Sequence, residues 1–169
     1  MFARPSAHHH QIAYVTNDLD RAMVLFERDY GAPGFFAFSN LESGAAKPGD
    51  PNLRIALAHI NGIEIELIEP IGDTAPLFSA PLAPGPGLDI RFHHVAIRIE
   101  GPIVNWDAHA ASIDTRTHPI VFEGGLGDDL RFFYTDETAR IGHYVEHVWM
   151  SPTMLAQIDA VRPRYPAAR

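Results

Sequence analysis

Two stretches of this chain repeat each other in order, in length and in where polar residues interrupt apolar ones. HQIAYVTND at 10–18 lies over HHVAIRIEG at 93–101, and ELIEP at 66–70 closes the first stretch much as EHVWM at 146–150 closes the second. Gln11 and Glu66 are 55 positions apart, and His94 and Glu146 are 52 apart. Each copy opens with a polar residue in a strand-like run and ends with a glutamate in another. A unit of this size buries its apolar face only against a second unit, so the repeat predicts two related modules sharing one core.

The local patterns give each module the same order of elements. QIAYV is β-branched and aromatic and predicts a strand. Thr16 or Asn17 can cap the helix that follows, in which Leu19, Ala22, Met23, Leu25 and Phe26 recur at helical spacing. GAPG ends that helix. FFAFS predicts a strand, LESGAAKPGDPN a loop, and LRIALAHI and IEIELIEP two strands joined by the hairpin pair Asn61-Gly62. The second copy runs RFHHVAIRI, a weak helix over VNWDAHAASI, a short strand in PIVFEGG, then LRFFYTD and HYVEHVWM. Ser151 and Pro152 suit the cap and first turn of a last helix. The expected architecture is α+β. Two tandem βαβββ modules, at 8–70 and 91–150, form a curved mixed sheet around a central pocket. A Pro/Gly-rich connection at 71–90 joins them, and a C-terminal helix and tail occupy 151–169.

Composition narrows the function. The chain carries a formal net charge of -8 and no run of Lys or Arg, which argues against nucleic acid, because phosphate recognition needs a concentrated basic patch. The one local enrichment, Arg162, Arg164 and Arg169, is expected to be a solvated end. There is no cysteine, so thiolate metal sites and disulfides are excluded. No window has the roughly 20 apolar residues of a membrane span, and MFARPSAHHH lacks an apolar signal core. A cytoplasmic protein without a membrane partner is the expectation. Ten histidines in a cysteine-free acidic chain are worth following, but a core or surface role is the ordinary one for any single histidine, so position has to discriminate.

Alternation along strands sorts the candidates. Gln11, Ala13 and Val15 share a face, as do His94, Ala96 and Arg98, and Tyr144, Glu146 and Val148. His10 falls on the opposite face from Gln11 unless the register shifts by one. If the modules pack with pseudo-two-fold symmetry, Gln11, Glu66, His94 and Glu146 converge on one divalent cation. Mixed oxygen and nitrogen donors suit Zn, Co, Ni, Mn, Fe or Mg. Glu66 could equally be a surface residue of a half-exposed strand, whereas Glu146 in an apolar strand needs a partner. Phe35, Phe36, Phe133 and Tyr144, with Trp106 and Phe132, are candidates to wall the cavity.

HQIAYVTNDLDRAM followed by GAPGFF, IEIELIEP, HHVAIRI and GHYVEHV resembles the vicinal oxygen chelate superfamily. That superfamily includes glyoxalase I, methylmalonyl-CoA epimerase, extradiol dioxygenases and bleomycin-resistance proteins, and the resemblance is nearest the glyoxalase-like branch containing the epimerase. It covers about residues 8–150. It implies metal ligands at Gln11, Glu66, His94 and Glu146, with His10 the rival at the first position. It also implies a metal-dependent isomerase or lyase, epimerase- or glyoxalase-like, that moves a proton next to a carbonyl of a small-molecule substrate. Glu146 is the expected base and Glu66 its counterpart. A homodimer is implied by the family alone. Two alternatives stay open: a non-catalytic binding or resistance protein of the same fold, and a ring-cleaving dioxygenase, which Gln11 disfavours because such iron sites use two histidines and one carboxylate.

Overall fold

The computed structural model describes residues 7–40, 51–72 and 76–165. Ten residues of the LESGAAKPGDPN loop, part of the Pro/Gly-rich connection and Arg169 lie outside them. The elements run β1 (Ala7–Thr16), α1 (Leu19–Tyr30), β2 (Phe36–Ser39), β3 (Leu53–Ile60), β4 (Ile63–Pro70), α2 (Pro76–Ser79) and β5 (Ile90–Ile99). They continue with α3 (Ile103–Ala111), β6 (Ile120–Leu126), β7 (Leu130–Asp136), α4 (Thr138–Ile141), β8 (Tyr144–Met150), α5 (Pro152–Val161) and β9 (Arg164–Tyr165). This is an α+β fold. The chain divides into two compact units, one comprising Ile12–His93 with Val161–Arg169 and the other Met1–Gln11 with His94–Ala160.

In the Ile12–His93 unit, β2, β3 and β4 form an antiparallel run, and β9 adds to β3 in parallel. Asn61 at φ 50° and Gly62 at φ 91° make the tight turn between β3 and β4, as the Asn-Gly pair predicts. The register pairs Ala56 with Leu67 and Ala58 with Ile65 on one face. Those four residues pack with Leu19, Ala22 and Phe26 of α1. Alanines at 22, 56 and 58, all fully buried, let the helix approach the sheet closely.

The cap of α1 is Asp18, not Thr16 or Asn17: its side chain accepts from the Arg21 amide at 3.0 Å. The two expected residues are otherwise engaged. Thr16 ends the strand, and its hydroxyl accepts from the Asp18 amide at 3.2 Å. The Asn17 side chain donates to the Gly87 carbonyl at 2.7 Å and accepts from the Asp89 amide at 2.9 Å. Asn17 thereby ties the Pro/Gly-rich connection to the end of β1.

In the His94–Ala160 unit, β5 pairs in parallel with β8, and β8, β7 and β6 run antiparallel. Trp106 of α3 packs with Ile99, Phe133 and Trp149 on one face of this sheet. Ser151 caps α5 by accepting from the Met154 amide at 3.1 Å.

The C-terminal segment corrects an expectation. Arg162 is not solvated: it is 7% exposed and pairs with the buried Glu64 of β4. Backbone bonds hold it there, because the His59 amide donates to Pro163 and the Asn61 amide donates to Tyr165, each at 2.8 Å. The segment completes an edge of β3 that the short β2 leaves uncovered, a role that its arginine-rich composition conceals.

Candidate functional site

The His94–Ala160 unit places two of the predicted residues side by side. Cross-strand partners in a ladder point to the same face. The register pairs His94 with Tyr144, Ala96 with Glu146 and Arg98 with Val148, then Glu146 with Tyr134 and Val148 with Phe132. His94 and Glu146 therefore share one face. Their neighbours Val145, His147 and Trp149 turn to the α3 face, where they are buried. His94 is fully buried, and its Nε2 lies 3.5 Å from the Glu146 Oε2. The Tyr134 ring meets the imidazole edge-on, with centroids 4.9 Å apart, and fixes its plane. Ala96, fully buried between them, contributes no bulk that would push the carboxylate away.

This pair fits a metal ion. Two ligands each about 2.1 Å from one ion stand about 3.4 Å apart at a tetrahedral angle. The observed donor separation is 3.5 Å. A neutral imidazole and a carboxylate, held by two adjacent strands rather than by loops, are donors that first-row divalent ions accept.

Gln11 and His10 both lie in β1 and are both buried, at 5% and 9% exposure. Burial alone therefore does not separate the two candidates for the first position. Glu66 lies in the other unit. It is 9% exposed, in a strand where both faces are covered rather than alternating with solvent, so it is not the half-exposed surface residue that its sequence context allows. Leu57 opposes Glu66, and Phe36 opposes Leu57, so Phe36 stands on the Glu66 face while α1 covers the other. Phe35 packs into the α1 core instead.

Tyr144 shares the face of Glu146, but Phe133 does not. Phe133 pairs with His147 and is packed with Trp106 and Trp149, so it belongs to the α3 core. Its neighbours Phe132 and Tyr134 take the Glu146 side. Tyr134 is the residue that reasoning from sequence misses, and alternation through LRFFYTD would have found it once β7 was set in register with β8. Burial, then the nearby Asp136, raises the Tyr144 phenol above its ordinary value, which keeps it neutral.

Several histidines that the sequence singles out are structural. His93 stacks on Phe78 with centroids 5.0 Å apart, and its Nε2 donates to the Leu77 carbonyl at 3.1 Å. His147 lies against His109, with Nδ1 2.9 Å from the His109 Nε2, and its own Nε2 is 3.4 Å from the Thr135 hydroxyl. Burial first, then His109 and His118, lowers the His147 pKa to about 3. His118 pairs with the buried Glu137 at 2.7 Å. An apolar cleft of about 730 Å³ also opens in the Ile12–His93 unit, lined by Tyr14, Phe26, Tyr30, Ile60, Ile63 and Leu88 among others. It is on the α1 side of β4, away from Glu66, and among the described residues no cluster of metal-binding side chains lines it. Among the described residues no helix is long and apolar enough to cross a membrane.

No curated protein sequence matches significantly. Solved structures do. Methylmalonyl-CoA epimerase from Mycobacterium tuberculosis superposes with a TM-score of 0.65 at 18% identity, covering 92% of this chain and 97% of that one. A methylmalonyl-CoA epimerase in complex with methylmalonyl-CoA and NH4+ gives 0.61 at 18% identity, with coverage of 88% and 97%. A Streptomyces coelicolor methylmalonyl-CoA epimerase variant in complex with 2-nitronate-propionyl-CoA gives 0.59 at 19%, with coverage of 86% and 95%. At these identities the likeness shows a shared fold. The model of the glyoxalase/bleomycin resistance protein/dioxygenase superfamily matches residues 10–132. With the repeated strands, the His94–Glu146 pair and this match together, the chain belongs to that superfamily.

Proposed function

We propose that the protein is a metal-dependent isomerase or lyase that moves a proton on the carbon next to a carbonyl, with Gln11, Glu66, His94 and Glu146 as the residues that hold one divalent cation. The observation that carries this reading is the buried pair of His94 Nε2 and Glu146 Oε2 at 3.5 Å on adjacent strands. Two carboxylates would balance the charge of a divalent ion and leave positions for substrate oxygens. When bound, such an ion supplies Lewis-acid stabilisation of the negative charge that develops on the carbonyl oxygen.

The protein residues supply the rest. Glu146 takes the proton from the carbon, and Glu66 serves the opposite face, so a substrate can leave with its configuration inverted. Each carboxylate must reach the carbon within hydrogen-bond distance and be ionised when it accepts. The Tyr134 edge keeps the His94 ring from turning while the substrate binds and leaves. Phe36, Phe132 and Tyr144 are apolar or neutral walls that limit water around the carbanion. The structural neighbours in complex with methylmalonyl-CoA and 2-nitronate-propionyl-CoA make 2-substituted acyl thioesters the first compounds to assay.

Metal analysis of the untagged protein and proton–deuterium exchange on a 2-methylacyl thioester, monitored by NMR, test the reading together. The expected result is one tightly bound divalent ion per chain and exchange at C2 that Glu146→Gln abolishes. A wild-type protein that binds no divalent ion overturns the proposal. Metal bound without exchange on acyl thioesters or hemithioacetals would identify a binding protein instead.

A further inference from the structure

Glu64 and Glu66 lie on the same face of β4, two residues apart, and both are buried, at 3% and 9% exposure. Side chains so placed are separated by one strand repeat, about 7 Å along the backbone. Glutamate side chains are long enough that two carboxylates at that spacing could be drawn towards one ion. The Arg162 guanidinium pairs with Glu64. Burying an ion pair stabilises a fold little, because removing both charges from water costs about what their attraction returns. The chain nevertheless brings a buried arginine to this carboxylate.

It does so with several fixed points. Helix α5 ends at Val161, immediately before Arg162. Pro163 and Tyr165 accept from the amides of His59 and Asn61. His59 is the cross-strand partner of both Glu64 and Arg164, so β9 is pinned to β3 one strand away from the carboxylate that Arg162 meets.

We infer that Arg162 is a positioning residue: it holds Glu64 out of the cation's ligand set, so that β4 contributes Glu66 alone. The inference rests on the cation reading proposed above and adds a role for the C-terminal segment. With Glu64 neutralised, the ion keeps two carboxylates and retains positions for substrate oxygens. If Glu64 were released, a third carboxylate would fill one of those positions. The metal would bind more tightly and the substrate less well.

Cobalt(II) loaded into the full-length protein reports this directly, because its visible spectrum follows the number and type of its ligands. Four proteins are compared: wild type, Arg162→Lys, Arg162→Met, and the double variant Arg162→Met/Glu64→Met, which removes both charges without stranding either. Arg162→Met is expected to shift the spectrum towards a higher coordination number. It should also bind cobalt about tenfold more tightly, as sites do when they gain an anionic ligand, and raise KM for the thioester. Arg162→Lys, which keeps the charge, should resemble wild type. The double variant should recover the wild-type spectrum and affinity.

An unchanged cobalt spectrum in Arg162→Met overturns the inference and leaves the pair as a clasp for the C-terminal segment. A folded double variant that does not recover the wild-type spectrum overturns it as well. Wild-type protein that takes up no cobalt removes the cation reading itself, and this inference with it.

Discussion

At the scale of single residues, the first ligand position is decided by two neighbours in β1. Gln11 and His10 are both buried. Glutamine offers a neutral oxygen and histidine a nitrogen, so the choice sets the character of the ion. An added imidazole with His94 and a carboxylate would approach the donor set of non-haem iron oxygenases, whereas an amide oxygen keeps the site hard and suited to Lewis-acid chemistry. Gln11 is the proposed ligand. Gln11→Ala is expected to weaken metal binding by more than the roughly tenfold that loss of an outer-sphere partner costs, and His10→Ala by less than that. Isothermal titration with Zn2+ or Co2+ measures both. The reverse ranking would move the ligand to His10 and reopen ring-cleavage chemistry.

At the scale of elements, strands that alternate or carry turn signals were legible in the sequence. β3, β4 and β7 begin and end where their residue patterns do, and Asn61-Gly62 makes its hairpin. Alternation put His94 and Glu146 each on a definite face of its own strand, and the parallel β5–β8 register makes that face a shared one. Helices α2 and α4 are four residues each, too short to carry a 3.6-residue period, and β9 is a two-residue pairing with no pattern. Thr16, Asn17 and Asp18 are all good caps by residue type, and only the tertiary bonds of Asn17 reveal that it is occupied elsewhere. Side-chain size does not say which face is the core, so Phe133 reads as a cavity residue in the sequence and packs with Trp106 and Trp149 in the structure. Arg162 reads as solvated from composition, since its partner Glu64 is 98 positions away. The two capping-region residues make opposite predictions. Asp18→Ala loses a helix cap and should cost about 1 kcal/mol of stability with metal binding unchanged. Asn17→Ala removes two long-range bonds and should raise protease cleavage within the 71–90 connection while leaving α1 intact. Urea unfolding and limited proteolysis separate the two effects, and an Asn17→Ala protein cleaved like wild type would show that the tether does not hold that segment.

At the scale of the whole molecule, the buried imidazoles behind the α3 face make stability depend on pH. The groups that surround His147 are His109, His118 and the Thr135 hydroxyl, with Glu137 held by His118. None offers His147 a negative charge, and one hydrogen bond joins the two rings, so His147 stays neutral in the folded protein. Its pKa falls from 6.5 to about 3. In the unfolded chain the same ring takes up a proton near pH 6.5. Between those values the unfolded state binds the extra proton, so stability is complete above pH 6.5 and declines as the pH falls towards 3. From about pH 7.5 to about pH 5 the expected loss is about 2 kcal/mol at most. His147→Gln removes the titration and retains hydrogen-bonding capacity. It should flatten this part of the stability profile, even if it lowers stability uniformly by disturbing the stack on Phe133. Both tryptophans, Trp106 and Trp149, lie in the same core as Phe133, so their fluorescence during urea unfolding reports on this unit. A variant whose stability falls between pH 7.5 and 5 as steeply as wild type would assign the acid sensitivity elsewhere, with the His118–Glu137 pair as the next group to replace.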